Sequence, residues 1–143
     1  MLQRRVAVLL PLLLAVAACN KPKAQPTAEE PIKPVAKLTA EELIDEYKKN
    51  QLGADQKYKD KPVQITGKVS RVDKMALLGY YVGIGSAREG EFDIMCFLDK
   101  DDKAAEEKAG KLKEGDTVTM IGKCDGKAGG LGAIYLRFSF FPK

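Results

Sequence analysis

The feature that most limits what this chain can fold is an apolar run at its start that ends in a cysteine. Val6 to Ala18 carries no charge over thirteen residues, follows Arg4 and Arg5, and stops at Ala17-Ala18-Cys19. A short positive segment, an apolar segment and small residues ahead of a cleavage point are the layout of an export signal. Thirteen residues fall well short of the roughly 20 that a bilayer-spanning helix needs. Pro11 at the middle of the run disfavours a long helix further. Residues 1–18 are therefore expected to leave the mature protein.

Val16-Ala17-Ala18-Cys19 resembles the lipobox of bacterial lipoproteins. That resemblance implies diacylglyceryl transfer to the Cys19 sulfur, cleavage before it, and acylation of the new amino group. Cys19 would then be the lipidation site and the link to a membrane, since two or more acyl chains give stable anchoring. The alternative is a plain export signal with a cysteine at its junction. Asn20 stands where aspartate marks inner-membrane retention in many Gram-negative lipoproteins. The expected address is therefore the cell envelope, on the outer membrane facing the periplasm if the source is Gram-negative.

Residues 19–37 follow as anchor and tether. Pro22, Pro26, Pro31 and Pro34 stand among Lys, Ala, Gln, Thr and Glu, with Ile32 and Val35 the only large apolar residues. Such a stretch buries too little surface to offset its ordering entropy, and reads as an extended spacer. The foldable part is thus 38–143, the size of one domain. Of 24 Lys and Arg and 20 Asp and Glu, this domain keeps eighteen of each, so the net +4 belongs to leader and tether. A neutral domain lacks the basic footprint of a nucleic-acid binder.

Within the domain, Thr39 followed by Glu42 is a capping-box pattern, and Leu43, Ile44 and Tyr47 continue at helical spacing. A helix over about 40–50 follows, ended by Gln51-Leu52-Gly53. Its early acids and late Lys48 and Lys49 suit the helix dipole. Period-two alternation marks a strand from Pro62 through Val69 towards Val72, with a bulge near Ser70. Gly79 to Gly85 is the second strand and Glu91 to Leu98 the third. Asp93 and Asp99 must face water there, which turns Phe92, Ile94, Cys96 and Leu98 inward. Lys103 to Leu112 reads as a helix, Glu114-Gly115 as a turn, Asp116 to Cys124 as the fourth strand and Leu131 to Phe141 as the fifth. Val63, Ile65, Val69, Ile94, Leu98, Val118 and Met120 are the expected core, closed at one end by Leu43 and Tyr47.

Five strands with a helix between the third and fourth fit an oligonucleotide/oligosaccharide-binding (OB) barrel, or an open α+β sheet of the same elements. Leu43 through Tyr47, Ala54-Asp55, Tyr58 to Lys61, Val63 to Val69, Leu112 to Val118 and Gly122 to Gly126 together resemble the tRNA-anticodon-binding-like family of bacterial lipoproteins. The resemblance implies a mostly β fold with flanking helices: a five-stranded OB-type barrel with an N-terminal helix and a helix between strands three and four. Members often show a further cysteine near the end of the last strand, where this chain has Arg137 and Phe138.

The chain contains no histidine, which removes the usual general base and the commonest metal ligand at neutral pH. Beyond Cys19 the thiols are Cys96 and Cys124, too far apart in sequence for a Cys-x-x-Cys pair. They are either bonded to each other or two buried thiols packed as small hydrophobes. Asp99, Asp101 and Asp102 cluster at a strand end without EF-hand spacing, and the glycines near Gly126, Gly129 and Gly130 lack phosphate-loop spacing. No metal, cofactor or catalytic residue is expected. The expected activity is non-catalytic binding or interaction in the envelope, with a protein or glycan partner. The alternative is single-stranded nucleic acid or oligosaccharide on the face of strands two and three. Lys74, Tyr80, Tyr81, Met95, Phe97 and Lys127 would form that face. The domain's neutrality and its address count against nucleic acid.

Overall fold

The computed structural model describes residues 32–85, 94–127 and 132–143. The export signal, Cys19, tether residues 20–31, Phe92 with its neighbours 91 and 93, and Gly129 and Gly130 lie outside the described residues. The described elements are β1 (Ala36–Thr39), α1 (Ala40–Lys49), α2 (Gln51–Tyr58), β2 (Pro62–Met75) and β3 (Gly79–Gly85). They continue with β4 (Ile94–Leu98), α3 (Lys103–Ala109), β5 (Thr117–Lys127) and β6 (Ile134–Phe140). The sheet order is β1-β2-β3-β4-β6-β5, and β2 also pairs with β5. That last pairing closes β2 to β6 into a five-stranded OB-type barrel, with β1 added beside it.

One strand makes the closure possible. The first half of β2, Pro62 to Lys68, runs antiparallel to β5, while Lys68 to Met75 runs antiparallel to β3. A register shift between Val69 and Arg71 marks the change of partner. An extra residue at such a point bends the strand and raises its twist, so the bulge expected near Ser70 is the corner of the barrel. Gly67 sits beside it. A Cβ on Gly67 would stand 2.5 Å from Ile84 Cγ2 and 2.9 Å from Ala40 Cβ, so glycine lets β2, β3 and the start of α1 meet.

Alternation then fills the interior. Val63, Ile65, Val69, Val82, Ile84, Ile94, Cys96, Leu98, Val118, Met120, Cys124, Ile134 and Leu136 are buried in one cluster, with Leu43, Ile44 and Tyr47 of α1 packed in the same cluster. Every described residue expected in the core from the alternation is buried. α1 begins at the capping box. Thr39 Oγ1 accepts from the Glu42 amide at 3.2 Å, and the Thr39 amide donates to Glu42 Oε2 at 2.8 Å. Two otherwise unpaired amides at the helix start are satisfied at once.

Three features depart from the sequence reading. Gln51-Leu52-Gly53 does not end the helical region. Asn50 caps the end of α1 with its backbone and starts α2 by accepting from the Gly53 amide at 3.0 Å. α2 buries only Ala54 and Tyr58, which is why no apolar stripe announced it. Secondly, β1 begins within the stretch read as tether. Ala36 to Thr39 pair in parallel with Val63 to Thr66, and the Val35 amide donates to the Pro62 carbonyl at 2.8 Å. Thirdly, element ends move: β2 runs on to Met75, past the expected end at Val72, β5 runs on to Lys127, past Cys124, and α3 stops at Ala109, short of Leu112. Pro31–Lys143 forms one compact unit.

Candidate ligand-binding site

The outer surface of β3, β4 and β6 carries a row of rings. Tyr81 is paired with Phe97 across β3 and β4, and Met95 faces Gly83 on one side and Tyr135 on the other. Ring centroids lie 5.4 Å apart for Tyr81 and Phe97, and 5.2 Å for Phe97 and Tyr135 in an edge-on arrangement. Such tilted and edge-on pairs add stabilisation beyond the area they cover. Tyr81 and Phe97 are themselves buried, so these rings are more a floor than an open stacking platform.

The six residues expected to form a ligand face do not form one. Tyr81, Met95 and Phe97 share the outer surface. Tyr80 is turned the other way, because neighbours on a strand alternate and Tyr80 shares its phase with inward Val82. At the end of the barrel it emerges 45 % exposed, with Lys74 Nζ 5.1 Å from its ring centre. Lys127 pairs with Ile134 at the far end of β5, away from Lys74. The structure therefore brings together three of the six, sets Lys74 and Tyr80 beside each other at a second position, and leaves Lys127 apart.

What the ring row leads to is a groove of about 320 Å³, lined by Leu77, Leu78, Phe97, Leu98, Asp99, Lys100, Asp101, Arg137 and Phe138. Leu77 and Leu78 come from the β2–β3 turn, Asp99 to Asp101 from the turn between β4 and α3, and Arg137 and Phe138 from a bulge in β6. The bulge is local and specific. The register between β4 and β6 shifts between Cys96 and Leu98, and Phe138 takes φ of 52°, a region that costs a residue with a side chain roughly 1–2 kcal/mol. The consequence is that Arg137 and Phe138 both leave the core, while Ser139 returns to it. Phe138 is 59 % exposed and Leu77 86 %. Arg137 sits 5.9 Å from the Phe138 ring centre and is held by an ion pair with Asp125. That carboxylate holds the guanidinium above its ordinary range.

A second groove, about 450 Å³, lies round the other side of Leu98. Val72, Tyr80, Lys103, Glu106, Glu107, Ala109 and Gly110 complete its walls. The acids near both grooves have structural duties. Asp99 Oδ1 accepts from the Asp101 amide at 3.1 Å, and Asp102 caps α3 by accepting from the Ala105 amide at 2.9 Å. Among the described residues no group of three or more Cys, Asp or Glu is placed to hold a metal ion.

The groups whose protonation is most disturbed lie elsewhere, in the core. Tyr47 donates its hydroxyl to Asp55 Oδ1 at 3.0 Å and lies 3.5 Å from Cys124 Sγ. Burial raises the Tyr47 pKa first, and the neighbouring Cys124 and Asp55 raise it further. Burial likewise pushes the Cys124 thiol up and the Cys96 thiol to about 12. Both are free thiols, so the structure takes the second of the two alternatives for this pair. β6 explains it: Cys96 and Cys124 each pair with Leu136, from opposite sides. Two strand spacings of nearly 5 Å exceed the roughly 7 Å that a disulfide allows between Cα atoms.

The residues missed by sequence reasoning are Leu77, Leu78, Lys100, Arg137 and Phe138. Two exposed residues in succession inside a strand were the available signal, but a phenylalanine at positive φ has no sequence signature.

A model of the tRNA_anti-like family matches residues 1–139. Among solved structures, the chain is similar to a protein of Klebsiella pneumoniae subsp. pneumoniae, named provisionally as a nucleic acid-binding lipoprotein. The TM-score is 0.57 at 16% identity, over 74% of this chain and 91% of that one. At that identity the likeness is one of fold. No curated protein matches the chain.

Proposed function

The chain belongs to the tRNA_anti-like family, and from that premise we propose a lipid-anchored envelope protein whose OB-type domain binds a ligand without transforming it. The observation that carries the reading is the groove between the β2–β3 turn and the β6 bulge. Its floor is apolar, its rim bears Lys100 and Arg137 together with Asp99 and Asp101, and two large apolar side chains, Leu77 and Phe138, stand exposed beside it. Exposed rings next to cations suit a ligand with flat or apolar faces and polar edges. The strongly shifted groups Tyr47, Cys96 and Cys124 are all buried and none lines a groove, which supports binding over catalysis. Anchoring rests on the lipobox-like segment before Cys19, and the outer membrane is its expected place in a Gram-negative cell.

A second reading narrows the ligand to a single-stranded nucleic acid or an oligosaccharide. Two cation and ring pairs favour it, Lys74 with Tyr80 and Arg137 with Phe138, since bases stack on such groups with little sequence preference. The provisional name of the K. pneumoniae protein points the same way. Fluorescence titration of the protein with a labelled oligothymidylate and with a soluble glycan fragment tests both readings. Binding that falls in Phe138→Ala and Tyr80→Ala, with no product formed on long incubation, is the expected result. Turnover of either probe would overturn the non-catalytic reading. A nucleic-acid signal that does not weaken with salt would overturn the second.

A further inference from the structure

Charge is unevenly spread over this domain. Around Pro62 the register gathers the outer faces of four strands: Lys37 on β1 beside Gln64, Lys123 on β5 opposite Pro62, and Arg137 on β6 opposite Lys123. Lys59 and Lys61 lead into β2, where the Asp60 amide donates to the Cys124 carbonyl and the Cys124 amide to the Lys61 carbonyl. Lys33 precedes β1. Six cations thus meet three carboxylates: Asp60 beside Lys123, Asp125 beside Arg137, and Asp55, which lies behind Gly126 and accepts from the Tyr47 hydroxyl. Lys61 Nζ donates to the carbonyls of Gln56 and Lys57, capping the end of α2. Ile32 and Val35 add exposed apolar side chains, 52 % and 56 % accessible, where the chain enters the domain.

We propose that this face, centred on Lys37, Lys59 and Lys123, rests on an anionic lipid surface and orients the domain against the membrane. The proposal rests on the anchor reading above, and two observations choose the occupant. One is charge: residues 38–143 are neutral and Lys33 and Lys37 bring the folded unit to a net +2, and that excess lies on this face, which suits a partner of opposite sign. The other is chain length. Twelve residues separate Cys19 from Ile32, which reach about 40 Å when extended as polyproline. That is comparable with the width of a domain of this size, so a face beside the junction at Ile32 lies within reach of the bilayer. A cluster of lysines with neighbouring apolar side chains at that position gains from anionic headgroups within a Debye length.

The test uses the compact unit Pro31–Lys143, which contains every described strand and helix but lacks Cys19. Vesicle binding and fatty-acid labelling of Cys19 therefore fail independently of each other. Sedimentation with phosphatidylcholine vesicles containing about 30 mol% phosphatidylglycerol should retain the unit at low salt, and pure phosphatidylcholine should not. The triple variant Lys37→Glu, Lys59→Glu, Lys123→Glu should bind about ten-fold more weakly or worse, with an unchanged circular dichroism spectrum. Lys111→Glu with Lys113→Glu, elsewhere on the surface, should bind like the parent. Equal retention by both vesicle types, or a triple variant that binds as well as the parent while folded, overturns the proposal. So does capture by oligothymidylate through these lysines without vesicle binding, which assigns the face to a soluble polyanion.

Discussion

The two sides of the barrel treat awkward groups in opposite ways. Under α1 and α2, polar atoms are buried and each is answered: the Tyr47 hydroxyl by Asp55 and Cys124, the Asp60 amide by the Cys124 carbonyl. Gly126, at φ of 86°, brings the backbone so close that a Cβ there would stand 2.6 Å from Asp55 Oδ1. Around Leu98 at the other end, apolar atoms are left in water, and the left-handed region that Asp60 occupies on the closed side, at φ of 63°, is taken here by Phe138, a residue without the short polar side chain that suits it. The first side places its polar groups for cohesion, and the second keeps an apolar surface open. Removing something from the closed side should therefore cost stability, whereas removing something from the open side should cost binding alone.

The largest effect should come from the core that both sides share. Ile65→Ala or Ile94→Ala removes a fully buried side chain and should cost about 2–5 kcal/mol, read as a fall in the thermal midpoint. An unchanged midpoint would mean that the strand phases are misread.

Alkaline titration comes next and probes the closed side. Cys96, Cys124 and Tyr47 all have pKa values raised by burial. Below their unfolded values, near 9 for the thiols and 10 for the tyrosine, both states hold the proton and the stability is intact. Above them the unfolded chain releases protons that the folded one retains, so stability falls as pH rises towards the folded values, for Cys96 from about 9 to about 12. Each such group withdraws up to about 1.4 kcal/mol per pH unit in that window. Denaturant midpoints that stay flat between neutral pH and pH about 11 would refute the buried, protonated assignment.

Tyr47→Phe sharpens the same point at about 1–2 kcal/mol, because it leaves Asp55 and Cys124 without the hydroxyl between them. It should also flatten the steepest part of the alkaline loss, which a mere packing defect would not do.

The smallest effect has the opposite sign. Phe138→Gly relieves the left-handed backbone, while Phe138 contributes little burial, so stability should hold or rise by up to about 1 kcal/mol. Ligand binding should fall in the same variant. A loss of stability there would erase the contrast between the two sides.

Legibility in the sequence followed the same division. Thr39 and Glu42, the alternation from Pro62 to Val69, and the Glu114-Gly115 turn, where Gly115 has φ of 88°, are local signals with local causes, and each was readable. The order of strands with one helix before the fourth left two topologies, and the family resemblance chose the barrel. β1 was not readable, since four residues with one large apolar side chain become a strand only because β2 offers an edge. α2 was hidden for want of an amphipathic stripe. The opposed directions of Tyr80 and Tyr81 were legible from the phase of Val82, but grouping them by composition put them on one face. The β6 bulge that builds the groove comes from how β4 and β6 slide past each other, and neither strand states it alone.

The double pairing of β2 also sets a tempo. Its contacts with β5 join residues 49 positions apart at Lys68 and Thr117 and 61 apart at Pro62 and Lys123, so the ring cannot shut until more than half of the domain has been gathered. Loop-closure entropy must be met before those rungs return anything. Chains governed by such distant pairings reach the native state in milliseconds to seconds, not microseconds. Until β2 and β5 join, the sheet has open edges of the kind that pair with other chains, and closing the ring removes them.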